Sequence, residues 1–496
     1  MRPKYLIFAD IFLLAIASHS VVAFDENHDL LLISAQQELN EYRQEAEKLA
    51  KWCEKHGLES HAKLTRDYIL PIVEDKIYIP VIPRQKQQDY LPGEASAEIV
   101  YWYNTWMTLR QNLSLKLQEM AKHSLQQKRV ILAMQMIHIA LHADPDSEKL
   151  RNALGFEYYE GLWRTDWEIE QLKFGRVNHD LFGWIPAKHV ERYDAGERYF
   201  KGQWVSKEQD ALEHADINNG WIISSEHYDI QTNHSLEEGV RLSRQLEGFY
   251  YAWKQVFIQY TASTLELAQR LDGKKIRFKE PRLKFVFFRN RQEYVVTLGK
   301  NDPNIANSVG FYDDKSRKCY FYMHSGRSLD SQRNMDRTVF HEGTHQLFNC
   351  VKPIQPNGYN NFWATEAVAV YMETFRQEGN YYVLGDPQDV RVLAAKYRFF
   401  RSQFYMPFDN ITKLGMVAFQ RSPYLKELYS QCGGMGYFLM HHNNGNYRDA
   451  FVAYLDAIYT GRATPRTLFD ILGESPETLD LKYEKMLEAI PAEFRD

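Results

Sequence analysis

His341-Glu342-Gly343-Thr344-His345 is a stretch of this chain whose residue types and spacing describe a reaction. On a helix, side chains four residues apart lie one above the other, so His341 and His345 present two imidazoles to one point. Zinc takes such nitrogens as ligands. Glu342 stands beside the pair, where a carboxylate can take a proton from a water on the metal. The spacing therefore predicts metal-assisted hydrolysis. A five-residue pattern also arises by accident, about a few times in a hundred for a chain this rich in histidine, so the surroundings must agree with it.

The motif has to be helical. Asp330 and Ser331 offer N-caps, Gln332 to Phe348 contains no proline, and Phe340, Leu347 and Val351 recur as an apolar stripe. Pro353 ends the segment. Gly343 costs about 1 kcal/mol in a helix interior, and its missing side chain leaves room for a neighbouring element. A catalytic zinc also needs a third protein ligand, with the fourth position left to water. Asn361 to Glu373 reads as a second helix, rich in Ala and Val, with Glu366 21 residues past His345. Glu366, Val370 and Glu373 share one face of it. A carboxylate buried there needs a partner, and a zinc ion supplies one for Glu366. Glu373 has two readings: it holds the free N–H of a histidine ligand, or it is an ordinary solvated helix residue.

H-E-x-x-H followed by Trp363-x-x-Glu366-x-x-Ala369-x-Tyr371-x-Glu373 resembles the gluzincin clan of zinc peptidases. The form H-E-G-T-H-Q-L-F is most similar to a bacterial family of gluzincin-like domains of unassigned substrate. The clan's second motif is commonly W-L-N-E-G-x-A-x-Y. This chain departs from it at Ala364, Thr365 and Ala367, none of which is a ligand position. The resemblance implies zinc on His341, His345 and Glu366, Glu342 as general base, and a two-lobed domain with a substrate-lining edge strand. It also implies a tyrosine some sixty residues beyond the glutamate ligand. Tyr429 stands 63 residues past Glu366, with Gln431 where the clan has Lys. Tyr429 is therefore either an oxyanion donor or a packing residue. The aminopeptidases of the clan carry a G-x-M-E-N motif that is not found upstream of His341, so the expected activity is an endopeptidase on peptide or protein substrates. The rivals are a zinc hydrolase of a non-protein amide, such as a cell-wall peptide, and a non-catalytic scaffold on a peptidase fold.

The chain has 496 residues, 44% hydrophobic and 14% aromatic, enough for two or three cores. Its net charge of −5 gives no basic surface, which argues against a nucleic-acid partner. Residues 1–23 read as a signal peptide: Arg2 and Lys4, an apolar run from Ile7 to Ala17 broken by Asp10, then Val21-Val22-Ala23. An exported protein is expected, periplasmic, cell-surface or secreted, with an uncleaved anchor as the other reading and no later membrane span. Four cysteines, Cys53, Cys319, Cys350 and Cys432, are expected mainly as buried thiols, with a bridge near the site conceivable. Asn112, Asn233 and Asn410 lie in N-x-S/T sequons.

The fold class expected is α+β. Residues 24–155 read as a helical, tetratricopeptide-like region without a fixed repeat, a surface for a protein partner. Its His138 and His142 are expected as core or surface histidines. Residues 156–212 read as a small β-containing module whose dense aromatics fill a strand-poor core. Residues 220–490 read as the peptidase domain. In it, Ser224–Thr232 is expected as a strand, Leu236–Leu271 as one long helix, and 310–312 with 318–323 as a hairpin whose second strand edges the cleft. His324, His441 and His442 receive no role.

Overall fold

The computed structural model describes residues 27–71, 75–86, 93, 95–275, 280, 282–300, 303–323 and 329–491. The expected signal segment and His324 lie outside them. The architecture is mixed α+β, predominantly helical, with small sheets.

The element that organises the molecule is Leu283–Phe288, a run of Leu, Val and Phe buried at every position but Lys284. A strand buried on both faces must lie inside a sheet. It does so in a five-stranded mixed sheet, in the order Gly310–Asp313, Lys318–Tyr322, Leu283–Phe288, Tyr228–Thr232, Trp221–Ser224. The three inner strands run parallel and the two outer strands antiparallel to their neighbours. Side chains alternate across the pleat. Phe285 and Phe287 enter the main core, while Val286 and Phe288 close a second cluster with Tyr294 and Ile305. Two expectations are corrected. The strand at 318–322 is interior, and the edge strand is Gly310–Asp313. The long helix is three helices, Leu236–Val256, Ile258–Thr261 and Thr264–Leu271, the last begun by a capping box between Ser263 and Glu266.

The helical segment before residue 155 does not stand apart. Its strand Ile77–Pro80 pairs antiparallel with Tyr381–Leu384, placing Ile77 opposite Leu384. Buried Arg129 donates from Nε to Asp449 Oδ2 at 2.6 Å. One core runs from Leu113 and Ile137 through Phe249 to Tyr454, and a small cluster around Trp102 and Trp106 lies apart from it, as does the one around Tyr294. His138 and His142 are core residues, and burial holds both down at about 4.

Residues 156–213 are a repeat that the sequence reading missed. Three two-stranded hairpins, 156–165, 176–186 and 197–206, are each followed by short helical turns. Each is preceded by a glycine at positive φ, Gly155 at 88°, Gly175 at 71° and Gly196 at 92°. Trp163, Trp184 and Trp204 occupy the second position of each returning strand. The outer hairpins turn through Glu160-Gly161 and Lys201-Gly202, all four at positive φ, as a two-residue turn of the twist-matching kind requires. The middle hairpin has a longer loop, which breaks the period.

The C-terminal helices pack against the Leu329–Val351 helix and against one another. Phe362–Met372 is buried at all eleven positions and packs against Leu425–Gly445. The approach depends on glycine. A Cβ on Gly436 would stand 2.5 Å from the Ala367 carbonyl oxygen, and one on Gly433 would stand 3.0 Å from Val370 Cγ1. Gly436→Ala should therefore cost about 1–3 kcal/mol, although alanine favours a helix. Urea unfolding checks this: the midpoint falls while the slope stays that of the wild type. An unchanged midpoint would show that the two helices can separate freely.

Candidate metal centre

The motif helix spans Leu329–Val351, beginning a little earlier than expected. Phe340 and Leu347 are buried in the core, and the Phe340 ring stacks on Phe249 at 4.8 Å. Gly343 faces that contact. A Cβ there would lie 3.3 Å from Phe249 Cε1 and 3.6 Å from Phe285 Cζ, so the missing side chain lets the motif helix lie close on the Leu236–Val256 helix and the central strand.

His341 and His345 turn their Nε2 atoms to one point, 3.3 Å apart. Glu366 comes to the same point from the Phe362–Met372 helix. Its Oε2 lies 3.3 Å from His341 Nε2 and its Oε1 3.6 Å from His345 Nε2. The three ligand atoms all lie within 4.8 Å of one another. Glu366 is 3% exposed, and no well-formed hydrogen bond reaches its Oε2, whose polar neighbour is His341 Nε2 at 3.3 Å. A buried carboxylate oxygen without a donor is costly. Two imidazole nitrogens and an orphaned carboxylate oxygen at one point are a donor set that suits a zinc ion. Burial opposes the charge on Glu366, but His345 and His341 outweigh it and hold the carboxyl below its ordinary range. Burial holds His345 down at about 4, in the neutral form that can ligate a metal.

Glu373 caps the end of the Glu366 helix and is 6% exposed, so the solvated reading does not hold. Its Oε1 lies 3.0 Å from His341 Nδ1. Its Oε2 accepts from Arg337 Nη2 at 2.7 Å and Arg391 Nε at 3.4 Å. Burial opposes its charge, but His341, Arg391 and Arg337 outweigh it and hold Glu373 down at about 2. Arg337 is in turn gripped by Asp389, at 2.5 and 3.2 Å. Sequence reasoning missed Arg337, Arg391 and Asp389. The signal for Arg337 was present: it lies four residues before His341 on the same helix, hence on the same face.

Glu342 is held by the edge strand. Its Oε2 accepts the Tyr312 backbone N–H at 2.8 Å. That N–H points away from the neighbouring strand, so the open side of Gly310–Asp313 faces the cluster. Burial pushes Glu342 up to about 7, against the pull of the His341 charge and the Tyr312 N–H. Tyr429, on Leu425–Gly445, stands beside Glu366. Burial and the Glu366 charge push its hydroxyl well above the ordinary range, so it remains a protonated donor. Its ring also packs edge-on against Phe419 at 5.6 Å, so it does packing work as well.

The remaining singled-out residues lie elsewhere or are quiet. His441 Nε2 meets the Tyr371 hydroxyl at 3.0 Å, and the His442 ring packs on Phe438 and Tyr447. All four cysteines are free thiols, three buried and Cys350 half-buried. Among the described residues no helix is long and apolar enough to cross a membrane. No protein-family model matches this chain, and no curated protein is similar to it.

Proposed function

We propose that this protein is a zinc-dependent metallopeptidase, acting within peptide chains rather than at their ends. The observation that carries the reading is the orphaned Oε2 of buried Glu366, set against two converging imidazole nitrogens. His341, His345 and Glu366 would hold the ion. Bound there, zinc supplies acidification of a water and polarisation of the scissile carbonyl.

The chain's own residues account for the rest. Glu373 takes the Nδ1 proton of His341 in a hydrogen bond, which fixes the tautomer and aims Nε2 at the metal. Glu342 takes the proton of the attacking water on its carboxylate and returns it to the leaving amine. The Tyr312 N–H keeps that carboxylate in place. The Tyr429 hydroxyl donates to the oxygen on which negative charge develops. An extended peptide pairs with the open side of Gly310–Asp313 through backbone hydrogen bonds. The order of sheet, motif helix, Glu helix and helical C-terminal segment supports the two-lobed gluzincin reading, and the apolar segment at residues 1–23 supports export.

Metal analysis of the purified chain tests this directly. One zinc per chain, lost in His345→Ala, is the expected result, and cut peptides identified by mass spectrometry give the substrate class. A chain that takes up no metal under any condition would be a scaffold.

Glu373→Gln gives a finer test. The amide keeps the shape but cannot accept equally well from His341, Arg337 and Arg391. Zinc affinity, measured by competition with a chelator, should fall by about 10–100-fold. Wild-type affinity would show that Glu373 serves the fold and not the metal.

A further inference from the structure

The Leu236–Val256 helix separates two polar regions. Phe249 faces the motif helix. Another side of the same helix, including Glu247, Tyr251 and Gln255, lines a cavity of about 340 Å³ whose other walls include Trp167 and Trp184 of the repeat module and the segment Ser225–His227.

Most charges in this cavity are satisfied by its own walls. His227 is gripped on both sides, by Glu247 at 2.7 Å and Glu280 at 2.6 Å. Lys254 pairs with Glu280, and Arg84 with Glu168 at 3.3 Å. Glu226 differs. Among the described residues it forms no ion pair, and burial pushes its carboxyl up against the weaker pull of the His227 and Arg84 charges. Two further polar groups lie at the same cavity: Gln255 Nε2, fully buried without a hydrogen-bond partner on a residue only 8% exposed, and the buried Tyr251 hydroxyl, whose polar neighbour is Gln255. Native proteins leave few such groups without a reason. Trp167 and Trp184 meet edge to face at 5.5 Å beside them.

We propose that this cavity is a second binding site, taking a small organic cation: a short chain that ends in an ammonium or guanidinium and carries one amide or carbonyl oxygen. The cation neutralises Glu226 and lies against the indole faces of Trp167 and Trp184. The oxygen accepts from Gln255 Nε2, and the Tyr251 hydroxyl is a further partner for the amide. The volume lies in the range of about 300–1,000 Å³ that small-molecule sites occupy. The proposal does not rest on the hydrolase reading.

The probe is 5-aminopentanamide, titrated into the full chain and followed by tryptophan fluorescence, with pentanamide as the uncharged control. Saturable binding is expected, with pentanamide and the Glu226→Gln variant each about tenfold weaker or more. Trp184→Leu should also weaken it and decides the matter if Glu226→Gln does not fold. The titration is repeated after treatment with a chelator. Binding that vanishes there belongs to the histidine cluster and overturns the proposal. So does a titration without saturation, or an affinity unchanged in the folded variants.

Discussion

Glu342→Gln is expected to bind zinc as the wild type does and to lose turnover by about 10²–10⁴-fold, the share of catalysis that a positioned base contributes. The substitution is nearly isosteric, and the amide oxygen can still accept the Tyr312 N–H that now reaches Oε2 at 2.8 Å. None of the three converging ligand atoms is touched. What disappears is the ability to take a proton. Burial pushes this carboxyl up to about 7, and a metal cation beside it can only lower that value. A base works only when ionised. Activity should therefore fall on acidification, with a limb at or below about pH 7 that is absent from the residual activity of the variant. Peptide cleavage across pH, with zinc content measured in parallel, checks both. Full activity in the variant would remove Glu342 from the mechanism, and loss of zinc together with activity would make it a structural prop.

How far the site could be read from sequence followed the range of the interactions involved. The two imidazoles were legible because four residues on a helix are one turn, whatever the rest of the chain does. Glu366 was legible because a carboxylate in an apolar helix demands a partner. The break in the long helix was legible in principle, since Ser263-x-x-Glu266 is a capping box. Other features were not open to the same reasoning. Strand order depends on parallel crossovers, so nothing local shows that 318–322 is interior and 310–313 the edge. The pairing of Ile77 with Leu384 joins positions far apart in the chain, and no periodicity near residue 77 records it. The triple hairpin was hidden because each copy shares little beyond two glycines and one tryptophan, and the middle turn is longer than the others. Glu373 lay between these cases: its face was readable, but the arginines that hold it come from other turns and other helices.

Glu366→Gln separates a metal ligand from a buried ion pair, because the two roles predict opposite costs in the protein stripped by chelator. A carboxylate whose main work is pairing with His341 and His345 would leave buried charge behind when removed, at about 3–5 kcal/mol. Here Oε2 meets His341 only at 3.3 Å without a well-formed hydrogen bond, and His341 keeps Glu373 at 3.0 Å after the change. The desolvated charge that is lost offsets the attraction that is lost. The stripped variant should therefore unfold within about 1 kcal/mol of the stripped wild type, as for a nearly neutral buried substitution. Zinc then divides them. At a thousandfold excess over its dissociation constant, a ligand that binds only the folded chain adds about 4 kcal/mol. The wild type should gain that stabilisation and the variant little of it, since two imidazoles alone make an incomplete site. Denaturant melts of both proteins, with zinc and with chelator, give the four values needed. A stripped variant destabilised by the full ion-pair cost, with no zinc effect in either protein, would make the convergence of His341, His345 and Glu366 a structural ion cluster.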